Sequence, residues 1–271
     1  MSSTWQTVTI SWVALLDLSP RGAAAQRISI DIEDNAITTL RPARTGNRLL
    51  DRLSAVTADV LLRSSRRVAD PQGHEVCRQG GPILYVCFPT TSLYSIVIDG
   101  QGGERIEAAT VGNEGMVGLP LHLGLETSSQ TAILQVPGEA IRVQTNAFLT
   151  AVKTDPEFNR LMQRYTAYSL RYTSQTVACN ALHSLEERTC RWLLMTHDGI
   201  GRDDFTLTHE FLAEMLGVRR QSVSLAAGAL QRSGLVTYRR GRIRIINRRG
   251  LEATACECYE VLRSLYGQIV T

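Results

Sequence analysis

Residues 206–246 read TLTHEFLAEMLGVRRQSVSLAAGALQRSGLVTYRRGRIRII. Thr208 can cap a helix, with His209 and Glu210 in the turn that follows. Leu212, Met215 and Leu216 make one apolar stripe, and Gly217 supplies a turn. The spacing predicts a second helix from about Arg220 to Arg232 that buries Val223, Ala226, Ala227 and Leu230 and ends at Ser233-Gly234. Two helices joined through a short glycine turn make a helix-turn-helix. Leu235–Tyr238 and Arg242–Ile246 then alternate as a hairpin around Arg239-Arg240-Gly241, where Gly241 tolerates a positive φ. Ile243 and Ile245 point inward by the two-residue period, so Arg242 and Arg244 face solvent.

The second helix opens with Arg219, Arg220, Gln221, Ser222 and Ser224. An arginine can donate two hydrogen bonds to guanine, a glutamine can pair bidentately with adenine, and a serine can reach base or phosphate. A helix N-terminus also attracts phosphate. Arg220, Gln221 and Ser224 project toward one side, while Arg239, Arg240 and Arg242 give the hairpin a basic tip. These eight residues are the candidate DNA contacts. Residues 201–250 hold ten arginines against four acids, whereas the whole chain of 271 residues nets only +3. A basic segment on a near-neutral chain suits a polyanion partner. Lys153 is the only lysine, so it is the clustering of arginine, and not its presence, that carries this reading.

Upstream the pattern changes twice. Asn47–Leu62 carries apolar positions at helical spacing, including Leu49, Leu50, Leu53, Val56 and Val60. Short β-prone runs follow at Ile83–Phe88, Leu93–Ile98, Ile106–Val111, Ala132–Val136 and Ala140–Val143, with a hairpin signal at Asp99-Gly100. Strands at this spacing predict an antiparallel barrel or roll. After Asp155-Pro156, Leu161, Tyr165, Tyr168, Tyr172, Gln175, Cys179 and Leu182 recur at gaps of four and three, a heptad seam that predicts a self-associating helix. Arg164 and Arg171 flank it, and Leu185–Met195 reads as a further helix. Residues 1–46 carry one short alternating run, Val8–Trp12, between loop-like segments.

The run Leu216-Gly217-Val218-Arg219-Arg220-Gln221-Ser222-Val223, with Ser233-Gly234-Leu235 and Arg240-Gly241, resembles the C-terminal domain of Crp/Fnr-type regulators. Phe88-Pro89 and Val111-Gly112-Asn113-Glu114-Gly115-Met116-Val117-Gly118 look like their β-roll. The resemblance implies an α+β chain. A β-roll sensor spans 47–152, a dimerisation helix 153–183 and a winged helix-turn-helix 184–271, leaving 1–46 as an extension of unassigned role. It also implies a homodimer on an inverted-repeat duplex, with half-sites about one helical turn apart, and RNA polymerase as a partner. In such regulators an arginine, a Glu-like polar residue and a small residue early in the second helix read bases; Arg220, Gln221 and Ser224 match them. Gln221 replaces the usual acid, which implies a different recognised sequence. Arg219 replaces a small capping residue, which weakens the cap and adds a phosphate contact.

Cyclic-nucleotide-binding relatives hold the cyclic phosphate with an Arg-Ser/Thr-Ala element. This chain reads Gln130-Thr131-Ala132, and no Lys or Arg occurs from Ile106 to Ile141, where His122 is the one candidate cation. A neutral amide supplies no bidentate charge to a phosphate, so no cyclic AMP binding is expected. An iron-sulfur cluster needs cysteines near the N-terminus, and none precedes Cys77. His74, Cys77, Met116 or His122 could ligate haem iron, the redox-sensing alternative. A DNA-binding architectural protein without an effector is the other alternative.

The chain contains no glycine-rich phosphate loop, His-rich metal spacing or nucleophile elbow, so an enzyme is not expected. None of the six cysteines pairs at a two-residue gap, and Cys256 and Cys258 would diverge on a helix, so no metal and no cofactor are expected. No apolar run approaches the ~18 residues of a membrane span, and no basic segment precedes an apolar one at the N-terminus, so the expected compartment is cytoplasmic.

Overall fold

The computed structural model describes residues 44–270. The Val8–Trp12 run, and all but the last three residues of the extension over 1–46, lie outside the described residues. In place of one helix over 47–62 there is a 3-10 turn at Leu50–Arg52 and then α1 (Ala55–Arg63). Ser54 separates them, because its side chain accepts from the Thr57 N–H and caps α1. The helical face shifts accordingly. Thr57, Ala58 and Leu61 are buried, while Val56 and Val60 are exposed.

Seven strands follow: β1 (Ser65–Val68), β2 (Glu75–Cys77), β3 (Tyr85–Pro89), β4 (Leu93–Asp99), β5 (Arg105–Val111), β6 (Thr131–Val136) and β7 (Ala140–Gln144). They form two antiparallel sheets, β1-β7-β3 and β2-β6-β4-β5. The β4–β5 hairpin turns after Asp99, where the Asp-Gly pair predicts it. The predicted strands correspond to β3–β7. The short β1 and β2 carry no readable pattern in the sequence, because neither buries a clean alternate face. Cys87, Tyr94, Val111, Val117, Leu134 and Ala140 pack together to make the core of the roll.

Helix α2 (Thr145–Thr154) leads into α3 (Pro156–Leu182), a 27-residue helix about 40 Å long. Asp155 caps α3 by accepting from the Glu157 and Phe158 N–H groups, and Pro156 fits its first turn. The C-terminal part runs α4 (Leu185–Ile200), β8 (Asp204–Thr206), α5 (His209–Leu216), α6 (Arg220–Arg232), β9 (Val236–Arg239), β10 (Arg242–Ile245), α7 (Arg248–Thr254) and α8 (Cys258–Ile269). Its strands order β8-β10-β9. Leu212, Val223, Leu230, Ile243 and Ile245 share one core with Leu93 and Val136 of the roll. The two regions also meet at glycines: a Cβ on Gly112 would lie 2.4 Å from the Gly199 Cα, and the Asn113 N–H donates to the Gly199 carbonyl at 2.9 Å. No larger residue fits that backbone approach.

From Leu161 to Cys179 the heptad seam on α3 is buried by the chain's own elements, which corrects its assignment as a dimer surface; only Leu182 at its end is exposed. The Tyr165 hydroxyl accepts from the Met116 N–H at 3.1 Å, and the Tyr172 hydroxyl lies 2.8 Å from the Thr110 hydroxyl. Tyr168 meets Tyr266 of α8 edge-on with ring centres 5.2 Å apart. Gln175 donates to the Cys258 sulfur at 3.0 Å, Cys179 lies 3.5 Å from Cys256, and Leu161 belongs to the main core. Periodicity reveals an apolar stripe but not what covers it; here the roll and α8 cover it. The opposite stripe of α3 is exposed: Gln163, Ala167, Leu170, Ser174, Val177 and Ala181, also spaced four and three apart.

One buried carboxyl sits where roll and α4 join. Glu107 accepts from Ser95 at 2.6 Å and from the Trp192 indole N–H at 3.0 Å. Ser95 also faces the buried Gln135 side chain. Burial pushes its pKa from 4.5 up to about 7 although Ser95, Arg191 and Trp192 favour the anion. The folded state therefore holds a proton that the unfolded chain has released, and stability falls as pH rises from 4.5 to about 7. The loss attributable to Glu107 is at most about 3 kcal/mol. Glu107→Gln is expected to flatten that slope and to be more stable than wild type at alkaline pH. Urea unfolding at both ends of the window tests this, and an unchanged slope overturns it.

Candidate nucleic-acid interface

Helix α5 is built as the sequence predicts. Thr208 accepts from the Phe211 N–H, Gly217 closes the helix at φ +64°, and α6 begins at Arg220. Val223, Ala226, Ala227 and Leu230 are buried. That places Arg219, Arg220, Gln221 and Ser224 on the exposed side, with Ser222 half-buried. Arg219 occupies the cap position without a side-chain cap bond, so the positive end of α6 faces outward. The Arg220 Nε lies 2.8 Å from a Glu210 carboxylate oxygen. Both side chains are mostly exposed, so the pair is worth less than about 1 kcal/mol, and swinging Arg220 onto another acceptor costs little.

The wing is a two-residue hairpin. Arg240 and Gly241 both have positive φ, +50° and +74°, as a tight turn between twisted strands requires. Arg239 and Arg242 are cross-strand partners beside it. Arg239 and Arg240 are exposed with no carboxylate partner among the described residues, whereas Arg242 is ion-paired to Asp204 on β8. At the tip of the wing the unpaired charge therefore sits at Arg239 and Arg240, and Arg244 farther along β10 is likewise exposed without an ion pair among the described residues.

Three features escaped the sequence reading. Strand β8 supplies Asp204; the burial alternation of Asp204, Phe205, Thr206 and Leu207 was its signal. His209 ties the two helices and the wing together: its Nδ1 lies 2.9 Å from the Ser224 hydroxyl, and its ring stacks on Tyr238 with centres 4.4 Å apart. Burial, and then Arg220, lower its pKa. Ser224 is thus held by a protein partner and is not a free hydroxyl. Glu210, beside Arg220, is the third.

A second site lies between the roll and α3. A cavity of about 80 Å³ is lined by Cys77, Met116, Gln130, Tyr165, Tyr168 and Tyr172 among others. Its lining includes no Lys, Arg or His. Of the other candidate iron ligands, His74 lies 3.2 Å from Arg142, and His122 sits in the 3-10 turn Leu119–Leu123.

A family profile for the Crp-like helix-turn-helix domain matches residues 187–254. Solved structures share the architecture. FixK2 from Bradyrhizobium japonicum aligns at a TM-score of 0.59 and 18% identity, over 71% of this chain and 98% of that one. A CRP-family transcriptional regulator from Thermus thermophilus aligns at 0.57 and 22%, over 70% and 96%. The c-di-GMP-responsive global regulator CLP of Xanthomonas campestris aligns at 0.56 and 18%, over 71% and 99%. No curated protein matches the sequence. At these identities the structures speak for the fold, and the profile match speaks for the helix-turn-helix. The chain therefore has the fold of the Crp/Fnr-type regulators it resembles and carries a Crp-like helix-turn-helix domain at residues 187–254.

Proposed function

We propose that the protein is a dimeric, sequence-specific regulator in which Arg219, Arg220, Gln221, Ser222 and Ser224 meet the DNA groove while Arg239, Arg240 and Arg242 approach the backbone. The observation that carries this reading is the outward N-terminus of α6 beside a wing tip with two uncompensated arginines. Within it, Arg220 and Gln221 read bases, Ser224 is oriented by His209, and Arg242 contributes less than its neighbours because Asp204 already pairs with it. The roll over 47–152 serves as the sensor, and the helix within 153–183 carries the dimer. A second copy packs on the exposed Ala167, Leu170, Ser174, Val177 stripe, where Leu170 and Val177 are 67% and 66% exposed. Promoter DNA and RNA polymerase are its partners.

Cyclic AMP is not the effector in this reading. The cavity is far below the roughly 300 Å³ at which small-molecule pockets begin, and nothing in its lining neutralises a phosphate. Its small size also favours a second reading, a DNA-binding protein that works without an effector.

The test is a fluorescence titration on an inverted repeat selected from random duplexes. Arg220→Ala is expected to lose about 1–3 kcal/mol on the selected site and far less on scrambled DNA. Equal losses on both would make Arg220 a phosphate contact and overturn its assignment as a base reader. Added cyclic AMP is expected to leave both curves unchanged; a shift at micromolar nucleotide would make the cavity a nucleotide site.

A further inference from the structure

Four metal-ligating side chains converge at the joint between α3 and the winged helix. Cys179 and His183 stand four residues apart at the end of α3, on one helical face. Cys256 and Cys258 come from the break between α7 and α8. The sequence predicts that these two thiols diverge on a helix. They do not, because Ala255 is extended (φ −66°, ψ 149°) and ends α7 before Cys256. The ligand atoms of all four residues lie within 4.8 Å of one another. The sulfurs of Cys179 and Cys256 are 3.5 Å apart, and the Cys258 sulfur is 3.6 Å from His183 Nδ1. A tetrahedral zinc site with bonds of about 2.3 Å to sulfur has edges of roughly 3.7 Å, close to these two separations, and the whole group lies within about an ångström of that size.

The surroundings are those of a metal site. His183 turns Nδ1 toward the thiols and donates Nε2–H to Glu257 at 3.1 Å, the carboxylate–histidine arrangement that orients a metal-bound imidazole. Gln175 donates its amide N–H to the Cys258 sulfur at 3.0 Å, a bond that suits a thiolate acceptor. Three thiolates and one histidine around a divalent ion carry a net charge of −1. Arg188 and Arg191 lie within electrostatic reach of Cys179 and Cys256. Arg191 is 6% exposed, and its Nε and Nη1 have no hydrogen-bond partner among the described residues. Buried guanidinium N–H groups left unpaired are costly, and a thiolate cluster supplies the negative charge they face.

We propose that Cys179, His183, Cys256 and Cys258 form a Cys3His site for a thiophilic divalent cation, zinc by its ligand set and tetrahedral spacing. Four closed protein ligands make the site structural. It ties the end of α3 to the segment that leaves the winged helix. The bound ion would therefore fix the His183-Ser184 joint between α3 and α4.

The full chain, purified under reducing conditions from zinc-supplemented cells, is expected to carry about one zinc per protomer by elemental analysis. Cys258→Ser and His183→Ala are expected to lose that zinc, and Cys77→Ser, remote in the roll, to keep it. Because a ligand variant can misfold, the wild-type protein provides a second arm. Chelator-stripped, reduced protein titrated with cobalt(II) alone is expected to show thiolate charge-transfer and intense tetrahedral d–d absorption, lost on adding zinc. It is also expected to melt at lower temperature than the loaded form. Substoichiometric zinc together with octahedral cobalt spectra would overturn the proposal, as would a Cys179–Cys256 disulfide in protein isolated without oxygen.

Discussion

Replacing Leu170 and Val177 together with glutamate is expected to give a folded monomer that no longer holds an inverted repeat. Both side chains are two-thirds exposed on α3, so their change removes little from the chain's own core. They lie on a stripe that repeats at heptad spacing through Ala167, Leu170, Ser174 and Val177, where a second parallel helix would bring like charges face to face. Sedimentation should then give half the wild-type mass, with an unchanged circular dichroism spectrum. A monomer reaches only one half-site, so affinity for the selected repeat should fall on the order of 10³-fold, toward the level of non-specific binding. A dimer that survives both glutamates would remove α3's outer face as the contact between copies.

Tyr168→Asp is expected to fail differently, through folding and not through assembly. Tyr168 is 4% exposed and packs edge-on against Tyr172 at 6.0 Å and Tyr266 at 5.2 Å. Losing a buried ring of that size costs about 3–5 kcal/mol, and leaving a carboxylate in its place adds to that. The sum approaches the whole stability of a typical domain, roughly 5–15 kcal/mol. Urea unfolding should show a collapsed transition for Tyr168→Asp and a near-native one for Tyr168→Phe, which keeps the ring. A Tyr168→Asp protein with native stability but half the mass would restore the heptad seam as the dimer surface.

The two experiments separate two stripes of one helix, and they mark where reading the sequence stopped. The helix-turn-helix was legible because its information is local. A capping threonine, a glycine turn, buried positions at helical spacing and an Arg-Gly turn between alternating strands all act over a few residues. The same locality gave β3–β7 and the ends of α3. The seam was assigned to the wrong neighbour because a stripe on α3 is apolar whether a second chain or α8 covers it, and α8 begins more than 70 residues farther on. Strand alternation puts Arg242 on the basic tip but does not reveal its partner, because Asp204 lies 38 residues away and meets it only when β8 pairs with β10.

Chain chemistry alone thus establishes the winged helix, its basic tip and the residues that point outward from α6. Each follows from backbone preferences and side-chain periods that hold over one turn or one strand pair. Which stripe of α3 is covered, which arginines meet an acidic partner, and that Cys179, His183, Cys256 and Cys258 meet at one point are set by long-range packing. Cys179 and Cys256 stand 77 positions apart, the segment between them includes the whole helix-turn-helix, and no local rule specifies how that segment returns to α3.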